Sequence, residues 1–304
     1  MRRRTFVAAS AAAFAASTCR LPVARSEDGQ PVRLGLVADP QYADIDTWNT
    51  RFYRQSIDKL SEAIDAFNSQ KLHACVNLGD LIDKQWASYD TIFEPIKRSV
   101  HPFYHVLGNH DFDLMDEYKS QVPHRLGMPR RYYHTSVGSW VLAFLDTTDV
   151  SLFAQPSEQP EYAVAEKQLQ GLKDHGAKHA QTWNGAVGSK QMEWLQQICR
   201  TASERQHRVI IFSHHPIYPD NAHNVWNSEQ LLAFVEKNRT IVAWLNGHNH
   251  AGNFGMFNDI PFVTLHGMVE TKDTNAYATL DLLSDRIVVT GYGREPSREI
   301  RLRT

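Results

Sequence analysis

The chain has 304 residues, 42% of them hydrophobic and 11% aromatic, which excludes a disordered chain and supplies the core of one large α/β domain or two small ones. Its formal net charge is −2 and its lysines and arginines are scattered without a basic block, so nothing marks it as a binder of nucleic acid. Cysteine is confined to Cys19, Cys75 and Cys199, too few for a readable disulfide framework, whereas histidine is abundant at 15.

The first segment, "MRRRTFVAASAAAFAAST", is a basic start followed by an alanine-rich apolar stretch too short to anchor in a bilayer. That is the outline of an export signal, taken as residues 1–26. Arg3 and Arg4 resemble the pair of the twin-arginine signal, whose pathway carries folded proteins. A periplasmic or secreted destination is expected, with the export machinery a partner during translocation and no stable membrane association once the signal is removed. Ala16 stands three places before Cys19 where a lipoprotein signal has an aliphatic residue, so lipid anchoring is not expected. Residues 27–304 contain no repeat, low-complexity tract or linker and read as a single domain. Cys75, in an apolar run, and Cys199, in a helical pattern, read as buried thiols.

From residue 32 onward, short β-branched or aliphatic runs alternate with helical patterns. The runs are "VRLGLVAD" (32–39), "HACVNLGD" (73–80), "FYHVLGNH" (103–110), "WVLAFLD" (140–146), "RVIIFSH" (208–214) and "TIVAWLNGH" (240–248). Helical periodicity is clearest over 51–70, 190–206 and 227–238. After residue 260 the pattern becomes strand-like, and "PFVTLHG", "AYATLDLL" and "RIVVTG" read as antiparallel additions. This alternation predicts an α/β layered domain. Ligands of open α/β sheets sit at the carboxyl ends of strands, where Asp39, Asp80, Asn109, His214 and His248 fall.

Each cluster alone has an ordinary reading. "ADPQ" with Asp39 and Gln41, and "GDLID" with Asp80, have the composition of turns. "GNHD" lines up the amide of Asn109, the imidazole of His110 and the carboxylate of Asp111. "SHHP" contributes His214 and His215, and "GHNH" contributes His248 and His250. Five such clusters in this order are the signature of a family.

The chain resembles the calcineurin-like metallophosphoesterases, whose pattern is D-x-H, GD, GNH followed by Asp or Glu, a later His, and GHxH. Gln41 replaces the first histidine. With "YADIDTWNTRFYRQS", "WNGAVGSKQMEWL", "SHHPIYPD", "VETKD" and "GYGREPSR", that departure resembles the manganese-dependent ADP-ribose/CDP-alcohol diphosphatases over residues 33–300. The resemblance implies a four-layer αββα sandwich with mixed sheets and two divalent ions. One ion would take Asp39, Gln41, bridging Asp80 and His250; the other would take Asp80, Asn109, His214 and His248. The amide oxygen of Gln41 makes the first set hard and favours Mn²⁺, with iron, zinc and magnesium as the other candidates.

The implied reaction is cleavage of the diphosphate bond of a nucleoside diphosphate derivative by a hydroxide bridging the ions. Two ions, two carboxylates and one hydroxide leave about one positive charge toward a small phosphate or diphosphate substrate. His110 would protonate or stabilise the leaving oxygen, and Asp111 would orient it. His215 aligns with an aliphatic position of the family and is expected to be a packed or supporting histidine. Trp183, Asn184, Trp226 and Asn227 lie in loops expected either to face base and sugar or to pack. Arg51, Arg54 and Arg298 are candidates for a distal phosphate, with solvated surface arginines the alternative. Two other readings remain: a phosphomonoesterase or cyclic nucleotide phosphodiesterase on the same scaffold, and a metal-free scaffold for protein binding.

Overall fold

The computed structural model describes residues 31–303, so the export segment and Cys19 lie outside the described residues. Strands β1 (Val32–Val37), β2 (Ala74–Asn77) and β3 (Phe103–His105) are linked by helices α1 (Ser56–Asn68) and α2 (Ser88–Lys97). The chain then passes through a 3-10 turn, His110–Phe112, and short helices α3 (Asp116–Lys119) and α4 (Val122–Arg125). Next come β4 (Tyr133–Val137), β5 (Trp140–Phe144), α5 (Pro160–Asp174), α6 (Ser189–Glu204), β6 (Arg208–Phe212), α7 (Ser228–Lys237) and β7 (Ile241–Asn246). The C-terminal part supplies β8 (Ala251–Phe257), β9 (Ile260–His266), β10 (Ala276–Leu282), β11 (Arg286–Gly293) and β12 (Arg298–Arg301).

These strands form two mixed six-stranded sheets, ordered β12-β11-β10-β1-β2-β3 and β4-β5-β6-β7-β9-β8. Alternation along the strands builds the layers, because successive side chains leave opposite faces. On β5 and β6, Leu142, Phe144, Ile210 and Phe212 join Leu34 and Leu36 of β1 between the sheets. Val141, Ala143, Val209 and Ile211 point the other way, onto Leu195 and Ile198 of α6 and Leu231 and Val235 of α7. On the opposite side α1 covers the first sheet with Leu60, Ala63, Ile64 and Phe67, spaced i, i+3, i+4 and i+7. The result is the four-layer helix–sheet–sheet–helix order. Cys75 and Cys199 are free and buried.

The structure departs from the expected C-terminal arrangement at one strand. β10 adds antiparallel to β1 and β11 antiparallel to β10, but β9, which holds "PFVTLH", is antiparallel only to β8 and runs parallel to β7 with Trp244 opposite Phe262. The physical reason is the hairpin before it: β8 forms the outer edge, and the turn at Asn258 and Asp259 returns the chain in the direction of β7. Glycine-rich, half-exposed β8 carries little strand signal of its own. Helix α5 likewise carries little helical signal, since it buries only Ala165 and Leu169. Among the described residues no helix is long and apolar enough to cross a membrane.

Candidate metal centre

Strands β1 to β3 of one sheet run parallel to one another, as do β6 and β7 of the other, and their carboxyl ends deliver the predicted residues to one place. The delivering loops are tied to each other. Asp39 N–H bonds to Gly79 O at 3.3 Å, Gln41 N–H to Asp80 O at 2.9 Å and Gly247 N–H to His214 O at 3.0 Å. The backbone N–H of His248 reaches both carboxylate oxygens of Asp39, at 3.2 and 3.1 Å.

Turning the chain this tightly forces unusual backbone. Asp39, Gln41, Asp80 and His248 have φ of 51°, 45°, 53° and 69°, a left-handed region that non-glycine residues rarely enter and that concentrates at functional sites. Two glycines of the sequence pattern have their explanation here. A Cβ on Gly79, at φ 99°, would strike the ring of His214, and one on Gly108 would strike the carboxylate of Asp80.

The side chains bring lone pairs together. His214 donates Nδ1–H to Leu78 O at 2.8 Å, which leaves Nε2 facing Asp80 Oδ2 at 3.2 Å and Asn109 Oδ1 at 3.1 Å. Asn184 spends its amide N–H groups on the carbonyls of His179 and Ala222, so its Oδ1 accepts from His248 Nε2 at 3.0 Å. His248 therefore turns a bare Nδ1 toward His214 Nε2, 3.1 Å away. His250 donates Nδ1–H to Glu270 Oε1 at 2.8 Å and directs Nε2 toward the amide of Gln41, at 3.0 Å, and Asp39 Oδ1, at 3.5 Å. Gln41 Oε1 is buried without a hydrogen-bond partner. So many converging acceptors attract positive charge, and a set of carboxylates, amide oxygens and imidazoles with their far nitrogens already fixed fits divalent metal.

The protonation tendencies agree. Burial alone would lower the pKa of His214 and His250, but Asp80 and Asp39 beside the first, and Asp39 and Glu270 beside the second, raise each to about 9. Burial alone would raise the Asp80 carboxyl; His214 and His110 hold it well below the usual range instead. His248 is kept neutral, first by burial and then by the neighbouring imidazoles, the form that can donate a lone pair to metal. His215 takes no part: its Nδ1 lies 2.8 Å from Thr147 Oγ1 and its Nε2 donates to Trp183 O at 3.1 Å.

His110 stands beside the cluster with its backbone N–H on Asp80 Oδ1 at 2.8 Å. Its orientation does not come from Asp111, as the sequence suggested. Asp111 is directed away and accepts the backbone N–H groups of Asp80, Leu81 and Gly108 at 2.9–3.0 Å, bracing two loops. Asp83, the second acid of "GDLID", takes His110 Nδ1 at 3.0 Å, and Arg51 Nη1 lies 3.4 Å from Nε2. Sequence reasoning missed Asp83 and Glu270 as histidine partners, although both lie within stretches that carried the family resemblance.

A cavity of about 690 Å³ opens over this cluster, lined by Arg51, Trp48, Lys84, Trp183 and His223 beside the histidines. The other loop residues divide differently from expectation. Asn184 is buried against His248, Trp226 is buried with its indole N–H on Gln181 O, and Asn227 bonds the backbone of Val187. Only Trp183 of those four lines the cavity, at 44% exposure. Arg54 pairs with Asp44 and Asp46, and Arg298 with Glu295, so Arg51 is the one of the three arginines at the cavity.

A family model described as calcineurin-like phosphoesterase matches residues 32–252. The chain belongs to this family. It is a metal-dependent phosphoester hydrolase. The manganese-dependent ADP-ribose/CDP-alcohol diphosphatase of Homo sapiens is 29% identical over 316 residues, spanning 87% of this chain and 91% of the human protein. The protein of the same name from Oryza sativa subsp. japonica is 27% identical over 88% of this chain and 92% of its own. A dimetal phosphatase from Danio rerio superposes with a TM-score of 0.82 at 26% identity, covering 90% of this chain and all of its own. The anchor in the inner membrane complex of Plasmodium, at 14% identity and a TM-score of 0.57, shares the fold.

For this calcineurin-like phosphoesterase, Asp80→Ala is expected to cost metal at both positions, because the Asp80 carboxylate faces both halves of the cluster. Metal analysis after dialysis should find less than half the wild-type content, and activity should fall by more than about 100-fold, the upper range for loss of a mere ligand partner. Wild-type metal content in the variant would exclude a shared role for Asp80.

Proposed function

We propose that the chain is a two-metal diphosphatase acting on nucleoside diphosphate derivatives of the kind named for its relatives, ADP-ribose and CDP-alcohols. Asp39, Gln41, Asp80 and His250 would hold one ion, and Asp80, Asn109, His214 and His248 the other. Mn²⁺ is the metal this reading favours at both, and at the first an amide oxygen beside two carboxylates makes a hard donor set. What such a centre supplies is Lewis acidity toward the phosphoryl oxygens and activation of water as nucleophile.

The observation that carries the reading is the cavity next to the cluster. Arg51 and Lys84 place cationic side chains on its wall within the same space as His110, and Trp48 and Trp183 offer exposed aromatic surface at 61% and 44%. A diphosphate ester needs both features, charge for the second phosphoryl group and apolar area for what it bears. His110, held at Nδ1 by Asp83, would give a proton from Nε2 to the leaving oxygen, and Asp83 would keep the ring in that orientation. The complete donor set speaks against a metal-free binding scaffold.

Export across the bacterial inner membrane is proposed on the sequence alone, from Arg3 and Arg4 ahead of the alanine-rich stretch. An Arg3→Lys, Arg4→Lys double variant is expected to accumulate inside the cell, as read by fractionation. Unchanged secretion would remove the twin-arginine assignment.

The substrate reading is tested by incubating the manganese-loaded protein with ADP-ribose, CDP-choline, a phosphomonoester and a cyclic nucleotide. Release of AMP or CMP with a second phosphate ester is the expected result. Inorganic phosphate from the monoester, or ring opening of the cyclic nucleotide at a higher kcat/KM, would move the activity to the alternative readings. His110→Ala is expected to retain metal and lose about 10²–10⁴-fold in kcat on substrates with poor leaving groups, with a smaller loss on nitrophenyl esters. Asp83→Asn should shift the same ratio in the same direction. Equal losses on good and poor leaving groups would show that His110 is not the acid.

A further inference from the structure

The segment between β9 and β10 is tied to the centre from several sides. Met268 N–H bonds to Ala38 O at 2.8 Å and Val269 N–H to Asp39 O at 3.0 Å, so the segment rides on the strand end that carries Asp39. Its Val269 carbonyl accepts from Phe52 N–H at 2.8 Å, and Thr271 N–H bonds to Thr50 O at 3.0 Å, which joins it to the loop carrying Arg51. Between these ties stands Glu270, whose carboxylate accepts the Nδ1 proton of His250.

Three carbonyls of this segment converge on one side chain. Lys59, on α1, donates from Nζ to Met268 O at 2.8 Å, Glu270 O at 2.9 Å and Thr271 O at 2.5 Å. All three ammonium protons are used, and the residue is only 5% exposed. Burial, then the nearby charge of Arg294, lowers its pKa to about 8, so at neutral pH the side chain is still the three-donor ammonium. A helix face that needed only apolar cover would be served at lower desolvation cost by methionine or leucine.

We propose that Lys59 is a positioning residue for the first metal position: by gathering the Met268, Glu270 and Thr271 carbonyls on one ammonium it fixes the Glu270 carboxylate against His250 and thereby sets the affinity of that position for a divalent ion. The proposal rests on the two-metal reading above. A histidine ligand gains basicity and a fixed ring from a carboxylate on its far nitrogen. The first position depends on that gain more than the second, because His250 is its one imidazole, whereas the second has two, His214 and His248, oriented by a carbonyl and an amide. The Glu270 carboxylate pairs with His250 and with no ligand of the second position, so the effect is expected at one ion.

The test is a calorimetric titration of chelator-stripped full chain with Mn²⁺, for wild type, Lys59→Met, Glu270→Gln and the double variant, with Tm measured alongside. Wild type should show two classes of binding. Lys59→Met should weaken one class about 10-fold and leave the other in place, Glu270→Gln should weaken the same class, and the double variant should be no weaker than Glu270→Gln alone. Should Lys59→Met not fold, Lys59→Gln, which is shorter and neutral, is titrated instead with the same expectation. A lowered Tm with both classes unchanged, equal weakening of both, or full additivity with Glu270→Gln would overturn the role of Lys59. Wild-type protein that binds no Mn²⁺ would overturn the two-metal reading and this proposal with it.

Discussion

The carboxylate of Asp80 sits where unneutralised acceptors from both sheets come closest, and holding them there is the constraint on which the rest of the centre depends. His214 Nε2 lies 3.2 Å from Asp80 Oδ2, His248 Nδ1 lies 3.1 Å from His214, and the amide of Gln41 lies 3.0 Å from Asp80. The Gln41 amide donates to Asp80, and the remaining lone pairs are relieved by positive charge among them, a proton or a metal ion. The chain meets the requirement by rigidity, since its loops bond to one another through backbone groups before any side chain is considered. The left-handed turns at Asp39, Gln41, Asp80 and His248 are part of the same solution, because they aim adjacent side chains inward while the strands behind them remain regular.

A second regularity follows from the first. Every imidazole at the centre has its far nitrogen assigned: His214 to a backbone carbonyl, His248 to Asn184, His250 to Glu270 and His110 to Asp83. Assigning that nitrogen fixes the ring's orientation, so the near nitrogen already faces the cluster before anything binds. The partners differ in charge. A carboxylate strengthens the ring as a base, whereas the carbonyl of Leu78 and the amide of Asn184 mainly orient it, so the two proposed metal positions would not be equivalent even apart from their own ligands. Behind the Glu270 pair lies the ammonium of Lys59, and behind Asn184 lie two backbone carbonyls, which shows how far from the cavity the geometry is maintained.

The charge distribution of the cavity has a division of labour too. Arg51 reaches His110 and overlies Trp48 at 5.7 Å, so one guanidinium joins the apolar wall to the candidate acid. His215, outside the proposed ligand set, anchors the carbonyl of Trp183, another residue of the cavity lining. Arg51 and Trp183, both of the cavity wall, are thus each tied to a histidine outside the proposed ligand set.

Much of this was legible in the sequence, because alternating apolar runs place strands and the residues after them whatever the rest of the chain does. "VRLGLVAD", "HACVNLGD", "RVIIFSH" and "TIVAWLNGH" each ended where a strand ends, so the layered α/β class and the five clusters of polar strand ends could be read from spacing alone. The resemblance added the order of the ligand set and the substitution at Gln41. Side-chain pairing was beyond its reach. Asp83 and Asp111 are both acids near the GD and GNH turns, and nothing local distinguishes the one that meets His110 from the one that braces backbone; the turn at Asp80 decides it. Lys59 and Glu270 are more than 200 positions apart, and Asn184 and His248 are 64 apart, so only the packing of α1 and the sheets could bring them together. The parallel course of β9 was decided in the same way. Its apolar pattern specifies a strand, but direction is set by which edge the preceding hairpin leaves open, a property of the assembled sheet and not of the segment.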